Sequence, residues 1–497
     1  MSTSQLFAAY EVNVDHETPA VPAFFIESTA PNNLDDKDGA QVKTPDYCVE
    51  IPTAQAAIDR IAEKLAEQAE PKLVITVHGF NSPRDAVLET YKKSFLAVNQ
   101  DTAIHGRGVV CVGYRWPSER VGTPWPSALW AAPWFLLGTL FVALGAVYFV
   151  NFVLDLCVLG NSVRIAVTAV TAMMAIIPIT LFLLRLIVYF RDGYRATTYG
   201  VPDLVDIVRL IDARLDERQK VLGKNVRADL SFIGHSMGGF VVTNAVRILS
   251  DVFSPAAKPK TMASGVGAVR DDADLEERSH IGKVFRLRRL VLVSPDVPAE
   301  VLLSGRANAL RSSLDRFQEA HLFSNEGDEV LRNISTTANF FALPTKRREF
   351  GYRLGNAGVL TEWGITDGIT LDKLRIGSRT LAQLYDGLDS NQFKGSLAQR
   401  FTYFDCTDSV ENGQGVVTVA QPGKPSDLSW IAHLGLLARY VFSGRPDVHS
   451  GYFEPGFVGR LIYRFACIGY GDSEAAYGRF DAFSALCKAH QVKALRS

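Results

Sequence analysis

Two long uncharged stretches limit what this chain can fold into. Residues 129–154 (LWAAPWFLLGTLFVALGAVYFVNFVL) and 165–184 (IAVTAVTAMMAIIPITLFLL) contain no Asp, Glu, Lys or Arg, and the second continues past Arg185 as LIVYF. A helix rises 1.5 Å per residue, so about 20 apolar residues cross the roughly 30 Å hydrocarbon layer of a bilayer. The sequence therefore predicts a transmembrane helical hairpin within residues 121–195, with spans at about 129–154 and 165–190.

Charged residues next to the stretches predict how the hairpin is oriented. Basic residues flank the outer ends of both spans: Arg115, Arg120, Arg185, Arg191 and Arg195. Because basic residues stay on the cytoplasmic side of a membrane, the hairpin anchors an integral protein with two spans and a cytoplasmic main domain. The alternative is that the two stretches pack as buried core helices or as an apolar lid over a site.

Composition excludes several classes of protein. The 52 Lys and Arg residues balance 53 Asp and Glu residues, which removes the basic excess expected of a nucleic-acid binder. With 47% hydrophobic residues, the chain has enough apolar surface to fold. The six cysteines have no C-x-x-C or other metal-ligand spacing, so we expect a reducing compartment and no metal. The N-terminus does not resemble a secretory signal.

Outside the hairpin, strand patterns alternate with helix patterns. Predicted strands lie at 72–78, 108–114, 228–233, 287–293, 316–323 and 400–404. Predicted helices lie between them, with clear apolar faces at 201–222 and 238–249 and a further helix near 298–310. Such alternation predicts an α/β fold with a mostly parallel central sheet flanked by helices.

Strands of similar character on both sides of the hairpin predict one interrupted domain. Residues 1–120 form its first part, residues 121–195 the hairpin and residues 196–455 the remainder. A stretch at 254–283, rich in Pro, Ala, Gly and acidic residues, is expected to be a flexible surface insertion. Residues 456–497 form a C-terminal extension that either closes the fold or covers the cleft.

A short motif in the middle of the chain predicts a nucleophile. Gly234-His235-Ser236-Met237-Gly238 matches G-x-S-x-G, follows the strand DLSFI and precedes the helical GFVVTNAVRIL. In that context a sharp turn from strand to helix exposes the serine oxygen at the carboxyl end of the sheet. Glycines permit the tight turn and the close approach of the helix.

With these features the chain resembles the α/β-hydrolase superfamily, and in particular uncharacterised bacterial esterase-like or lipase-like members with an H-G-F-N motif after an early strand. Here that motif is His78-Gly79-Phe80-Asn81, after KLVITV. The resemblance covers about residues 70–120 and 195–455, and the hairpin departs from a plain soluble member. It implies an α/β-hydrolase fold and an oxyanion hole formed by the backbone N–H groups of Phe80 and Met237.

The resemblance also implies a catalytic acid and a catalytic histidine after the serine. Asp328 follows the predicted strand that ends at Phe323, in the loop where the superfamily places its acid. Asp296 follows the preceding strand and is the alternative acid; it could instead cap a helix.

Among the downstream histidines, His449 lies in a loop after the last predicted strand, where the superfamily keeps its catalytic base. His490 is a weaker alternative, whereas the other histidines have less suitable surroundings: His280 in the insertion, His321 at the end of a strand, and His433 in an apolar helix. His235 is expected to pack beside the nucleophile.

We therefore expect a membrane-anchored serine hydrolase that cleaves a carboxylic ester through Ser236, Asp328 and His449, without a metal or cofactor. An acyl ester near the bilayer, such as a lipid ester or a thioester, is the leading substrate. The alternative is an inactive scaffold of the same fold that binds a protein partner, since a fold does not determine function. Transport ranks last because residues 129–154 and 165–184 contain no charged residue, whereas charges inside a membrane usually mark an ion pathway.

Overall fold

The computed structural model describes residues 7–13, 20–31, 44–119, 185–250, 278–303, 309–342, 348–384, 397–410, 415–421, 428–443 and 447–496. Both predicted membrane spans up to residue 184, and residues 254–277 of the predicted insertion, lie outside this part of the chain. Within the described ranges, no helix is both long enough and apolar enough to cross a membrane.

The strands of the described residues form one large sheet and one small sheet. The large sheet contains β1 (Phe7–Val12), β2 (Ala23–Ser28), β3 (Cys48–Ile51), β4 (Lys72–Val77), β5 (Val109–Arg115), β6 (Ala228–His235), β7 (His280–Ile281), β8 (Phe285–Val293), β9 (Glu319–Ser324), β11 (Gly364–Asp367), β14 (Thr402–Asp405) and β15 (Lys493–Arg496). The small sheet contains β10 (Ala357–Val359), β12 (Leu374–Ile376) and β13 (Arg379–Thr380).

The order across the large sheet is β11-β15-β14-β9-β8-β6-β4-β5-β2-β1-β3, and the short β7 pairs with β8. From β2 through β14 every pairing along this order is parallel, whereas β1, β3 and β7 pair antiparallel with their neighbours and β15 runs antiparallel to β14. The prediction of an α/β fold with a mostly parallel central sheet is confirmed.

Helices cover the sheet. They span α1 (Ala54–Glu67), α2 (Arg84–Gln100), α3 (185–195), α4 (Val201–Val221), α5 (Met237–Leu249), α6 (Glu300–Leu303), α7 (Ala309–Leu314), α8 (Thr336–Ala342), α9 (Arg348–Gly351), α10 (Leu381–Leu384), α11 (Val416–Ala420), α12 (Trp430–Ser443), α13 (Phe457–Cys467), α14 (Gly469–Ala476) and α15 (Phe480–Ala489). Residues Ala196–Gly200 form a π-helical turn that joins α3 to α4, and Val330–Ser335 form a second one before α8.

The central strands are buried on both faces because helices pack on each side. In β4, Ile75 and Val77 belong to one apolar cluster and Val74 to another, as expected where successive side chains of a strand point to opposite faces. Such strands are continuous apolar runs rather than alternating ones, which is why they could be recognised in the sequence.

The structure corrects several predicted boundaries. The strand predicted at 316–323 begins at Glu319 and ends at Ser324, and the strand predicted at 400–404 is Thr402–Asp405. The helix predicted near 298–310 is instead two short helices, α6 and α7, with residues 304–308 outside the described part. Strands β1 to β3 were not predicted. Residues 456–496 supply three helices and the sheet strand β15.

Parallel strands bring their following loops to one edge of the sheet. The loops after β4, β6, β8 and β9 carry His78–Asn81, Ser236, Ser294–Asp296 and Asn325–Asp328 in turn. Because open α/β sheets bind ligands at the carboxyl ends of their strands, this edge is the place to look for a site.

We predict that Gly238→Ala destabilises the protein. A Cβ atom at Gly238 would lie 2.3 Å from the Val77 carbonyl oxygen and 2.6 Å from that of His78, both backbone atoms that cannot swing aside. Overpacking of this kind costs about 1–3 kcal/mol. Urea unfolding measures the change.

The control is Gly471→Ala in α14, where a Cβ atom meets nothing within 4 Å. Alanine favours a helix over glycine by up to about 1 kcal/mol, so this variant should be neutral or more stable. Equal stability of the two variants would contradict the packing described.

Candidate active site

Ser236 occupies a strained turn between β6 and α5. Its backbone has φ 52° and ψ −122°, an unusual conformation for a residue other than glycine. Such strain costs about 1–3 kcal/mol and persists only where the surroundings impose it. Here the Ser236 N–H donates to the Val293 carbonyl at 2.9 Å, and the Ser236 carbonyl accepts from the Asp296 N–H at 3.1 Å.

Glycines clear the space around this turn. A Cβ atom at Gly79 would lie 2.7 Å from the Cβ of Ser236, and one at Gly234 would lie 2.7 Å from the Cα of Gly239. Real Cβ atoms do not approach that closely, so a side chain at Gly79 would push its loop away from Ser236, and one at Gly234 would push β6 away from the start of α5. The G-x-S-x-G and H-G-F-N motifs are therefore two halves of one close contact.

Three side chains from separate loops form an unbroken hydrogen-bonded line. The Ser236 Oγ lies 2.9 Å from His449 Nε2, and His449 Nδ1 lies 2.7 Å from Asp328 Oδ2. Ser236 and Asp328 have no exposed surface, and His449 is nearly buried. The structure thus brings together the serine, acid and histidine that the sequence selected.

The Asp328 carboxylate is held by four donors. Oδ2 accepts from His449 Nδ1 and from Ser294 Oγ at 2.5 Å, while Oδ1 accepts from the backbone N–H groups of Val330 and Leu331, both at 3.1 Å. Burial alone would raise the pKa of Asp328, but the His449 charge and these hydrogen bonds outweigh it and lower the pKa below its ordinary value. The acid is therefore ionised at neutral pH.

Asp296, the alternative acid, has other partners. Its Oδ1 lies 2.8 Å from Arg353 Nε, and its Oδ2 accepts from Ser335 Oγ at 3.1 Å. Neither oxygen has a hydrogen bond with His449 within the described part of the chain. Asp296 contributes to the serine turn through its backbone N–H instead.

The backbone of His449 is fixed from two sides. Asp447 Oδ1 accepts from the His449 N–H at 3.2 Å, and His235 Nε2 lies 2.8 Å from the His449 carbonyl oxygen. Burial lowers the pKa of His235 to about 3, so its ring is neutral and donates through Nε2–H. His235 therefore packs beside Ser236, as expected, and also holds the backbone of His449.

Each residue of the H-G-F-N motif has a separate structural task. Burial lowers the pKa of His78 to about 3, and its Nδ1 lies 2.7 Å from the Gly79 carbonyl oxygen while its Nε2 accepts from the Trp116 N–H at 3.2 Å. Gly79 leaves room for Ser236. The Phe80 ring packs edge-on against His449, and Asn81 adopts a positive φ of 54°.

Two backbone N–H groups at the site are suited to bind an oxyanion. Met237 is the first residue of α5, so its N–H has no acceptor within the helix. Within the described part of the chain, the Phe80 N–H donates no hydrogen bond. These are the two groups that the sequence predicted for this purpose.

The other histidines after the serine lie away from this line. His433 pairs with Glu329 at 2.7 Å, His321 stacks on Phe465 with ring centroids 4.6 Å apart, and His490 stacks on Phe457 at 4.3 Å. His280 lies in β7. Each has a packing or pairing role in the fold.

A cavity of about 370 Å³ opens beside the triad. Its wall includes Phe80, His235 and His449 as well as polar side chains of Asn81 and Ser82. Ser236 itself has no exposed surface. Among the described residues, no group of three or more His, Cys, Asp or Glu side chains could hold a metal ion.

Some site residues were not found in the sequence. Hydrogen bonds join Ser294 to Asp328, Asp447 to the His449 N–H, and Asp192 to the Asn81 N–H. None of these three residues belongs to a recognisable motif. Asp447 could have been suspected because an Asp two residues before a loop residue often accepts its N–H. Ser294 and Asp192 act across long sequence separations and left no local signal.

No family model matches the chain, and comparisons with curated proteins and with solved structures find no significant match. The candidate active site is therefore inferred from this chain's own residues.

We predict that His449 titrates above its ordinary pKa of about 6.5. Burial alone would lower the pKa, but the Asp328 charge and hydrogen bond outweigh it and raise the pKa. Asp328→Asn removes that charge, so the titration should move to lower pH. NMR of the imidazole, assigned with His449→Ala, measures both midpoints.

Asp296→Asn is the matched control, because Asp296 makes the smallest of the named contributions that raise the pKa of His449. Its midpoint should remain close to that of the wild type. A larger shift in Asp296→Asn than in Asp328→Asn would reverse the assignment of the acid.

Proposed function

We propose that the protein is a serine hydrolase that cleaves a carboxylic ester through an acyl-enzyme, and that it belongs to the α/β-hydrolase superfamily. The observation that carries this proposal is the line from Ser236 through His449 to Asp328, with distances of 2.9 and 2.7 Å. A hydroxyl in contact with a base that is oriented by a third group is the arrangement of an activated nucleophile.

The proposed mechanism follows from the positions of these atoms. His449 Nε2 takes the proton from Ser236 Oγ as the oxygen attacks the ester carbonyl, and the resulting imidazolium is stabilised by ionised Asp328. The Phe80 and Met237 N–H groups bind the oxyanion of the tetrahedral intermediate. His449 then protonates the leaving alcohol, and a water molecule activated in the same way hydrolyses the acyl-enzyme.

We propose further that the enzyme is anchored in a membrane by the hairpin within residues 121–195, with the catalytic domain facing the cytoplasm. The described residues at the two ends of the hairpin contact each other. These contacts support the proposal that the anchor lies close to the site. Ser118 Oγ donates to Asp192 Oδ2 at 2.7 Å, and Arg191 donates to the Glu119 carbonyl. Both contacts lie beside the H-G-F-N loop.

A site close to the bilayer favours an acyl substrate that partitions into lipid, such as a lipid ester or a thioester. The cavity beside His449 is lined by polar side chains such as Asn81 and Ser82 and by the apolar Phe80, which suits a substrate with a polar part next to its ester. Lys93 and Glu454, which form an ion pair at 3.0 Å, both line this cavity.

We predict that Ser236→Ala abolishes labelling by a fluorophosphonate, because the reagent forms a bond with an activated serine oxygen. Hydrolysis of 4-nitrophenyl esters should fall by a factor of about 10⁴ or more. Thermal unfolding should show that the variant is folded.

The matched control is Ser450→Ala, which removes an exposed hydroxyl that lines the same cavity. It should be labelled like the wild type. If a folded wild type is not labelled at all, the proposed hydrolase is contradicted and the alternative, an inactive scaffold of this fold that binds a protein partner, becomes the leading hypothesis.

The anchor has its own test. We predict that alkaline carbonate leaves the full-length protein in the membrane pellet, because two apolar spans are not released by removing electrostatic contacts. Release into the supernatant would contradict the anchor while leaving the proposed hydrolase chemistry untouched.

A further inference from the structure

Asp192 is a buried carboxylate that contacts the loop bearing the proposed oxyanion hole. It lies in α3 and has no exposed surface. Its Oδ2 accepts from the Asn81 backbone N–H at 2.8 Å, across 111 residues of sequence, and from Ser118 Oγ at 2.7 Å. Arg191 Nε donates to its Oδ1 at 2.9 Å. A buried charge is costly unless it is paired and hydrogen-bonded, and this one is.

The hydrogen bond to Asn81 restricts one of the two peptide groups that flank Phe80. Because a peptide group is planar, holding the Asn81 N–H fixes the orientation of the whole Phe80–Asn81 peptide. The preceding Gly79–Phe80 peptide is held by His78, whose Nδ1 lies 2.7 Å from the Gly79 carbonyl oxygen. With both flanking peptides fixed, the direction of the Phe80 N–H is fixed as well.

Ser118 links Asp192 to Ser82, the next residue of the loop. While its Oγ donates to Asp192, the same oxygen accepts from the Ser82 backbone N–H at 3.0 Å. Asp192 therefore holds Asn81 directly and Ser82 through Ser118. Asn81 has a positive φ of 54°, a conformation that asparagine adopts more readily than most residues with a side chain.

We propose that Asp192 is a positioning residue of the active site, which aims the Phe80 N–H at the oxyanion. This inference rests on the proposed hydrolase function. Asp192 does not touch the triad in any hydrogen bond of the described residues, so it acts through the loop rather than on the reacting atoms. Its loss should weaken stabilisation of the transition state more than binding of the substrate.

Asp192→Asn tests the inference. An amide replaces one acceptor oxygen by a donor group. Either the Asn81 N–H and the Ser118 hydroxyl lose their acceptor, or Arg191 Nε loses its acceptor. Loss of a whole oxyanion-hole donor costs a factor of about 10² to 10³ in kcat. For a misaimed donor we expect kcat for 4-nitrophenyl butyrate to fall about 10-fold or more, with KM within about twofold of the wild type.

A matched control separates positioning from general stability. Asp212 is another buried aspartate that holds a loop, since its carboxylate accepts from the N–H groups of Lys283 and Val284 at 2.8 and 2.9 Å. That loop precedes β8 and so lies at the opposite edge of the sheet from the triad. Asp212→Asn should lower the unfolding temperature while leaving kcat within about twofold of the wild type.

A thionoester provides a readout that a structural role would not change. Its sulfur is a weak hydrogen-bond acceptor, so its hydrolysis depends little on the oxyanion hole but still needs Ser236 and His449. Asp192→Asn should therefore lower the ratio of ester to thionoester turnover about fivefold or more, a loss smaller than that of a whole donor. Asp212→Asn should leave that ratio unchanged.

The outcomes distinguish failure of this inference from failure of the proposed function. Suppose that the wild type hydrolyses the ester, and that Asp192→Asn lowers the turnover of ester and thionoester equally or lowers neither. Asp192 then has only a structural role and the inference is wrong. If the wild type hydrolyses neither substrate and resists a fluorophosphonate, the proposed function itself fails.

Discussion

The site depends on one buried carboxylate that stays ionised. Asp328 has no exposed surface, and it is stable there because Ser294, His449 and two backbone N–H groups donate to it. These donors come from the loop after β8, from the loop around residue 449 and from the turn after β9. Assembly of the carboxyl edge of the sheet therefore pairs the Asp328 charge with donors and aligns His449 toward Ser236 at the same time.

The backbone conformation of Ser236 depends on close packing. Ser236 adopts a strained backbone because β6 and α5 hold it from both sides, and Gly79 and Gly238 allow the neighbouring chain to come within contact distance. Such strain in the turn at Ser236 persists because the surrounding fold imposes it. His235 and His78 stay neutral through burial, which lets each donate one directed hydrogen bond to a backbone carbonyl.

The central strands and Ser236 could be predicted because both leave local signals, whereas Asp328 and His449 were selected because the resemblance implies an acid and a histidine in those loops. Strand β4 and residues 290–293 of β8 are buried, mostly apolar runs, and Ser236 lies between the buried strand β6 and a helix. Strands β1 and β15, each one strand in from an end of the large sheet, were missed because neither contains a long continuous apolar run. Asp192 was missed for a different reason: its contact with Asn81 joins residues 111 apart, and only the fold brings them together.

The proposed mechanism requires that Ser236 becomes acylated during turnover. Mass spectrometry of the protein quenched in acid shortly after mixing with 4-nitrophenyl butyrate tests this directly. We predict a butyryl group on the peptide that contains Ser236, formed in the wild type and absent from Ser236→Ala. Hydrolysis without a covalent adduct, or an adduct on a different residue, would contradict it.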